Sequence, residues 1–554
     1  MNTQMRDNGA AFRGAGRGIA VLLVVFTAVT FYLNLQINDS LSDDHAGYLA
    51  MARQIGFGEL PIRDFVDLGT FLHLWLSAAV AKAGNFLLPE LLMSWTFIAA
   101  GQAMAVYLVW RSTGSLVAAA LAGVSAMLMF PRPYAFPKVF VYPLSVWLLW
   151  RYVEAPGHAR LWCLGLWAAV ALLLRFDHGT AVFGTAVGTI LLTRGPHSVR
   201  QAALDLGELT AAFVISLGPF LVYLASTVGV LTHFGTMFAF GLYGLDESER
   251  FRWHSFLGTP WLAGKLGTAF LFDLIVLLIA GSALWAATRL VRDYRARRRV
   301  SVPTLQLCAV VGLCLTGAPM LVRNNFEARI PDAVSLLVIV AALAAVPWRT
   351  VGTVPGPAWR TLHRAAALTL AFLVLVAIMR GGVASGLGSV NLARLFSPDG
   401  FERAEGIIED LMVSPPLEAY ADPGIHGRGG LERYLRDCTR PDDRVLVSYF
   451  NPLLYIYSER GFAGGQWRYF RFHNSPGEQQ ATMRKLAQEH VPVAIVRRSS
   501  WESFHAEWEP LARHIESKYR RLEAYHPEGD DIEVWVDANR SQTGSLDGNV
   551  PCFR

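Results

Sequence analysis

NDSLSDDHAGYLAMARQIGFGELPIRDFVDLG, residues Asn38 to Gly69, follows directly on an apolar run from Gly18 to Leu35 and opens with three acids, Asp39, Asp43 and Asp44. Ionised carboxylates are costly inside hydrocarbon, so acids gathered at the end of a span mark a water-filled site and are functional candidates. Behind them Tyr48, Leu49, Ala52, Ile55 and Gly56 pattern as an amphipathic helix, and Pro61, Asp64, Phe65 and Asp67 lie in a Gly/Pro-punctuated loop. One span, then an interfacial helix, then an outer loop is the start of a polytopic membrane protein.

Composition agrees. Of the 554 residues 53% are hydrophobic and 17% charged, with mean hydropathy +0.33, against about 25% charged in an average soluble domain. The net charge of +5 comes from arginines clustered beside apolar runs, which fits membrane topology and not a nucleic-acid partner. Arg6, Arg13 and Arg17 precede the first run and no small-residue cleavage site follows it, so it reads as an uncleaved signal anchor.

Ten further apolar segments follow: Leu91 to Trp110, Leu116 to Phe130, Val139 to Tyr152, Leu161 to Leu174, Gly179 to Thr193, Leu209 to Thr227, Leu266 to Thr288, Leu305 to Val322, Ala333 to Val346 and Ala365 to Ile378. With the first they make about eleven spans. Thr70 to Val80 is short, contains His73 and ends at Lys82, so it reads as an interfacial or re-entrant helix completing the outer loop. Excluding it puts Arg111, Arg151, Arg160, Arg194, Arg200, the run Arg289 to Arg299, Arg349, Arg360 and Arg364 on the cytoplasmic side with the N-terminus, as the positive-inside rule prefers. The same parity sets Pro131 to Pro143, RFDHG at Arg175 to Gly179, the loop Gly229 to Lys265 and Val322 to Pro331 on the outer side with the acids. Ionisable groups thus converge on one face of an apolar bundle, as an interfacial substrate site requires.

The chain divides accordingly: residues 1–380 form a transmembrane domain whose first outer loop is 38–90, and 381–398 a Gly/Ser-rich linker. Residues 399–538 form an extracytoplasmic α/β domain, and 539–554 a disordered polar tail. Arg444 to Phe450, Val491 to Arg498 and Ile532 to Asp537 read as strands; Leu431 to Cys438, Ala481 to His490 and Trp501 to Arg520 read as helices. Cys163, Cys308 and Cys314 fall in apolar runs. Cys438 and Cys552 lie on the oxidising side in this topology, and spacing leaves their pairing open.

Asp44-His-Ala-Gly-Tyr48, then Ala52, Gly58, Pro61, Asp64-Phe65 and Gly69, resembles the first outer loop of bacterial GT-C-class glycosyltransferases, the group that includes protein O-mannosyltransferases and aminoarabinose transferases. Asn451 to Gly465 (NPLLYIYSERGFAGG) and the Arg-Arg-Ser-Ser-Trp at Arg497 to Trp501 resemble their C-terminal domains. The resemblance implies an inverting enzyme of the bacterial inner membrane with a periplasmic C-terminal domain. Its donor would be a polyprenyl-phosphate sugar, and the first loop would supply the catalytic Asp. Two departures bear on the donor sugar: His45 stands where the family commonly has Glu, and no Lys-Pro-Pro signature occurs around Thr70.

Glycosyl transfer needs a base for the acceptor hydroxyl and positive charge for the departing phosphate. Asp44 takes the first role by its spacing to Tyr48, with Asp43 the alternative; helix capping would explain the same acids without chemistry. Lys138, Arg175, Arg323 and Arg329 are the outer-face cations suited to a lipid phosphate, and snorkelling to headgroups is the competing reading. His45, Tyr48, Asp64, Tyr142 and Asp177 complete the substrate-binding candidates. Asp177 and His178 have no Ser or Cys nucleophile motif beside them and read better as a structural pair than as catalysts. No cysteine or histidine spacing closes a metal site, although His45 with Asp43 and Asp44 offers ligand types that suit a divalent cation. The acceptor, a glycolipid, polysaccharide or protein, stays open. A transporter or flippase of a lipid-linked saccharide is the alternative of a different class. It would require paired, broken spans with mid-membrane charges, and no half of the chain repeats the other.

Overall fold

The computed structural model describes residues 2–37, 43–67, 69–82, 87–128, 132–195, 198–246, 266–297, 299–319, 326–345, 395–412, 429–469, 474–523, 525, 531–546 and 550–553. The apolar runs fold as helices: α1 (Asn2–Ile37), α2 (Asp43–Gly56), α3 (Phe71–Ala81), α4 (Leu87–Thr113), α5 (Leu116–Leu128), α6 (Phe136–Glu154), α7 (His158–Leu174), α8 (Phe176–Arg194), α9 (Val199–Ser226), α10 (Val230–Asp246), α11 (Leu266–Arg297), α12 (Val302–Gly317) and α13 (Phe326–Ala345). C-terminal to them stand α14 (Pro398–Met412), α15 (Gly429–Cys438), β1 (Arg444–Val447), α16 (Leu453–Tyr457), β2 (Gly461–Phe462), α17 (Pro476–Leu486), β3 (Val493–Arg497), α18 (Trp501–Glu507), α19 (Glu509–Lys518), β4 (Tyr519–Arg521), β5 (Ile532–Asp537), β6 (Gly544–Leu546) and β7 (Val550–Cys552).

Among the described residues four helices are long and apolar enough to cross a membrane: residues 17–36 of α1, α4, α9, and residues 272–296 of α11. Aliphatic side chains such as Val24, Ile215, Val222, Leu277 and Leu284 stand exposed on them. In water such faces would be a liability; against lipid they cost nothing. The expected span Ala365 to Ile378, the linker through residue 394 and residues 247–265 of the long outer loop lie outside the described residues.

The chain forms two compact units. The first comprises residues 1–38, 93–223 and 241–404 and is a helical bundle. Its helices approach closely where small residues allow it: a Cβ added to Gly179 in α8 would lie 2.2 Å from the Leu172 Cα of α7. One end of this bundle is laced by ion pairs. Arg111 at the end of α4 meets Glu154 at the end of α6 at 2.7 Å, Gln306 near the start of α12 donates to the same carboxylate at 2.8 Å, and Arg194 at the end of α8 meets Asp205 of α9 at 2.7 Å. The arginine-rich helix ends of the sequence are therefore gathered at one end of the unit.

The second unit comprises residues 39–92, 224–240 and 405–554. At its centre is a five-stranded sheet in the order β2-β1-β3-β5-β4, parallel at β2/β1 and β1/β3 and antiparallel at β3/β5 and β5/β4. Leu446, Ala494 and Val496 of its strands pack with Phe504 of α18, Trp508 between the helices, and Leu511 and Ile515 of α19 in one buried cluster. The first outer loop belongs to this unit, not to the bundle with which the sequence groups it. Glu59 accepts hydrogen bonds from Arg444 at 3.1 Å and from Lys485, Gln54 Nε2 donates to the Phe462 carbonyl at 3.2 Å, and Val66 N–H donates to the Gly465 carbonyl at 3.1 Å. The Trp467 indole lies against α2 at Gly47, where a Cβ would come within 2.6 Å of the ring.

Three expectations change. The stretch after Gly229 begins as the helix α10 where a loop was expected, because Gly229 at φ +89° is followed by an apolar run. The helix expected over Trp501 to Arg520 breaks at Trp508, whose backbone leaves the helical region (φ −127°, ψ 47°) before Pro510 starts the next. Residues 539–554, expected to be disordered, carry the β6/β7 ribbon, and Cys552 is disulfide-bonded to Cys438. Polarity hides this order, since the crosslink does the work a core would otherwise do. The bridge closes 114 residues, a loop length worth about 5 kcal/mol in the chain-entropy account. We expect Cys438→Ser to lower the melting temperature of the second unit by several degrees, read by scanning fluorimetry with and without reductant. An unchanged melting temperature in the oxidised protein would show that the bridge stabilises nothing.

Candidate active site

Asp44 stands in the first turn of α2, exposed, at a helix start where a carboxylate is electrostatically favoured. The backbone of Asp43 opens the same helix, and its side chain lies outside the described residues. His45, one position on, turns inward: it is 1% exposed, and its Nε2 lies 3.1 Å from Glu90 Oε1, which also accepts from Ser77 Oγ at 3.1 Å. Its ring is thus engaged with Glu90, and among the described residues no group of three metal-ligating side chains forms. Tyr48, a turn further, stacks on His73 of α3 with ring centroids 4.7 Å apart. The helix that bears Asp44 is consequently held by a buried polar layer running through α2, α3 and the start of α4.

The loop after α2 is shaped by its own acids. Asp64 accepts from Leu60 N–H at 2.7 Å and from Arg63 at 2.6 Å, closing a tight turn in which Ile62 is held at φ +73°. A β-branched residue in that region is strained, and strain of this kind clusters at functional loops. Asp64 therefore has a turn-closing role. Asp67 is buried at 4% exposure and accepts from both Thr70 N–H and Thr70 Oγ1 at 2.9 Å, fixing the turn that leads into α3.

Burial raises the Asp67 carboxyl to about 6, against the opposing pull of the Thr70 hydrogen bonds. An unfolded carboxyl titrates near 3.9. Between these values the folded chain holds a proton that the unfolded chain has lost, so stability falls as pH rises through the window and stays lower above it, by about 3 kcal/mol. Asp67→Asn keeps an acceptor for Thr70 and removes the charge. We expect it to melt higher than the wild type at pH 7.5 and to match it at pH 4. A variant that melts lower at pH 7.5 would mean the fold uses the charge.

In the first unit, Lys138, Tyr142, Arg175 and Asp177 come together with His178. Lys138, in the first turn of α6, is 1% exposed, exceptional for a lysine. Tyr142, one turn on, has its hydroxyl 2.7 Å from His178 Nδ1. Arg175 is the single extended residue joining α7 to α8. Its Nε lies 2.9 Å from Asp177 Oδ1, and Arg175, His178 and Lys138 all act on the Asp177 carboxylate. The cluster sits at the starts of α6 and α8, the end of the bundle away from Glu154 and Arg194. Arg323 lies outside the described residues. Arg329, expected in a loop, falls in the first turns of α13, and its side chain is not described.

Three contributors escaped the sequence reading. Glu90 could have been found as an acid inside the apolar run LLPELLM, which hydrocarbon would not tolerate unpaired. Trp467 and Glu59 carry no local signal, because their partners are remote in sequence.

No protein-family model and no curated protein matches the sequence. Among solved structures, ArnT from Cupriavidus metallidurans bound to undecaprenyl phosphate aligns over 94% of this chain and 98% of its own, at 14% identity and a TM-score of 0.50. The chain has the ArnT fold. The apo state of the same ArnT aligns over the same shares at 13% identity and a TM-score of 0.45. ArnT is a GT-C polyprenyl-phosphate-sugar glycosyltransferase, so the GT-C fold implied by the first loop is the one observed. At this identity the likeness to ArnT establishes architecture, and chemistry has to be argued from the side chains.

Proposed function

We propose that this protein is a GT-C glycosyltransferase of the bacterial inner membrane that moves a sugar from a polyprenyl-phosphate donor to an envelope acceptor on the periplasmic face. The observation that carries the proposal is the buried cation Lys138, grouped with Arg175, Tyr142 and His178 in a chain whose fold is that of a protein solved with undecaprenyl phosphate. A lipid phosphate is the ligand such a group fits. Arg forks match phosphate oxygens, and a buried lysine supplies a point charge without competition from water. Asp44, exposed on a helix braced from beneath, is the base. In the step itself the acceptor hydroxyl loses its proton to Asp44 as its oxygen bonds the anomeric carbon. The carbon–oxygen bond to phosphate breaks on the opposite face, and polyprenyl phosphate departs with inversion.

The topology proposed with this reading has about eleven spans, the ion-paired end of the bundle cytoplasmic, and the C-terminal α/β domain periplasmic. The Cys438–Cys552 disulfide supports that side for the domain, since such bonds persist in oxidising compartments. The test is transfer of label from polyprenyl-phosphate sugars to envelope extract in membranes containing the protein. Label in an extractable acceptor is the expected result. Donor that crosses the bilayer with no transfer would replace the enzyme with a transporter.

A further inference from the structure

At the far end of α8 from the Asp177 cluster, about 26 Å along the helix axis, a cavity of about 650 Å³ opens beside α11. Leu191 and Arg194 of α8, Leu290, Val291 and Arg295 of α11, and Arg299 in the turn before α12 line it. The apolar part of the wall is open: Leu191 and Val291 are about half exposed. The cationic part is built. Arg194 is fixed by Asp205, which also receives Tyr152 Oη at 2.6 Å and Gln201 at 2.8 Å. The turn carrying Arg299 is pinned by Asp293, which accepts from Ser301 N–H at 3.0 Å and Thr304 Oγ1 at 2.8 Å. Among the described residues neither Arg295 nor Arg299 has a carboxylate within ion-pairing distance.

From this arrangement we infer that the cavity is a binding site for an anionic phospholipid, distinct from the proposed donor site at the opposite ends of the helices. A phosphodiester headgroup supplies the charge that Arg295 and Arg299 lack, and an acyl chain covers the leucine and valine wall. Basic pockets between spans on the arginine-rich side of a bundle recognise lipid headgroups in this way. A soluble phosphate could satisfy the arginines but would leave the apolar wall bare, so the lipid is the occupant.

Native mass spectrometry of the full-length protein, purified in detergent and titrated with phosphatidylglycerol, phosphatidylcholine or inorganic phosphate, tests the inference. The wild type is expected to retain phosphatidylglycerol well above phosphatidylcholine, and millimolar phosphate is expected not to displace it. Arg295→Ala with Arg299→Ala should weaken retention about 30-fold, the change that two surface cations imply. The paired lysine replacements should stay within about threefold of wild type, because charge is preserved. Arg200→Ala, exposed on α9 outside the cavity, should behave as wild type and reports on handling. Equal retention of the two lipids, unchanged retention in the alanine pair, or displacement by phosphate would each overturn the lipid site. Should the alanine pair express poorly, Arg295→Gln alone reads the same loss at smaller amplitude.

Discussion

Replacing Asp44 with Asn is expected to slow sugar transfer by about 10²–10⁴-fold, the contribution of a positioned general base. The substitution is isosteric and the side chain is exposed, so the melting temperature should stay within a degree or two of wild type. What braces the helix is elsewhere, in the His45–Glu90–Ser77 hydrogen bonds and the Tyr48–His73 stack. Folding and chemistry are thereby separable at this position. Asp43→Asn is the matched control, one residue away and about 100° around the same helix. Full activity in Asp44→Asn with loss in Asp43→Asn would move the base by one residue. Full activity in both would remove the first loop from the chemistry.

Lys138→Met should lower turnover by about 10²–10³-fold, comparable to removing one preorganised donor from a developing negative charge. Methionine fills nearly the same volume, so packing around α6 is kept. The competing explanation is that Lys138 only neutralises Asp177 within the cluster. A double substitution decides between them. If neutralisation is its whole task, Lys138→Met with Asp177→Asn restores activity, because the buried lysine and the part-exposed carboxylate it faces lose their charges together. If the lysine holds the donor phosphate, the double variant stays as slow as the single, and Lys138→Arg recovers part of the rate. The expected result is no restoration.

Much of the architecture was legible because hydropathy is a local property. Phe71–Ala81 is the short helix expected from its length, its His73 and the Lys82 that follows it, and Ile532–Asp537 is the strand its alternation predicts. Helix ends were less legible: Gly179 to Thr193 understates α8 at its start, because Asp177 and His178 are polar enough to read as loop yet lie in its first turn. The cluster of Lys138, Tyr142, Arg175 and Asp177 could be named residue by residue, since each is an ionisable or aromatic group at the end of an apolar run. Their grouping could not, because it depends on how α6, α7 and α8 pack. The tail was misjudged for a similar reason: its order rests on Cys438, more than a hundred residues away. The same limit hid the seat of the first loop on the C-terminal domain, where Glu59 meets Arg444 and Lys485.

That seat has a consequence for how the protein is made. Glu59 and Arg444 are 385 residues apart, which a ribosome covers in about 20 to 80 s. Through that interval the loop bearing Asp44 has already left the translation machinery while the sheet that receives it does not yet exist. The segment reaches its working form only when nearly the whole chain has been synthesised. A nascent or prematurely terminated polypeptide therefore carries the acid while its loop has no sheet to rest on.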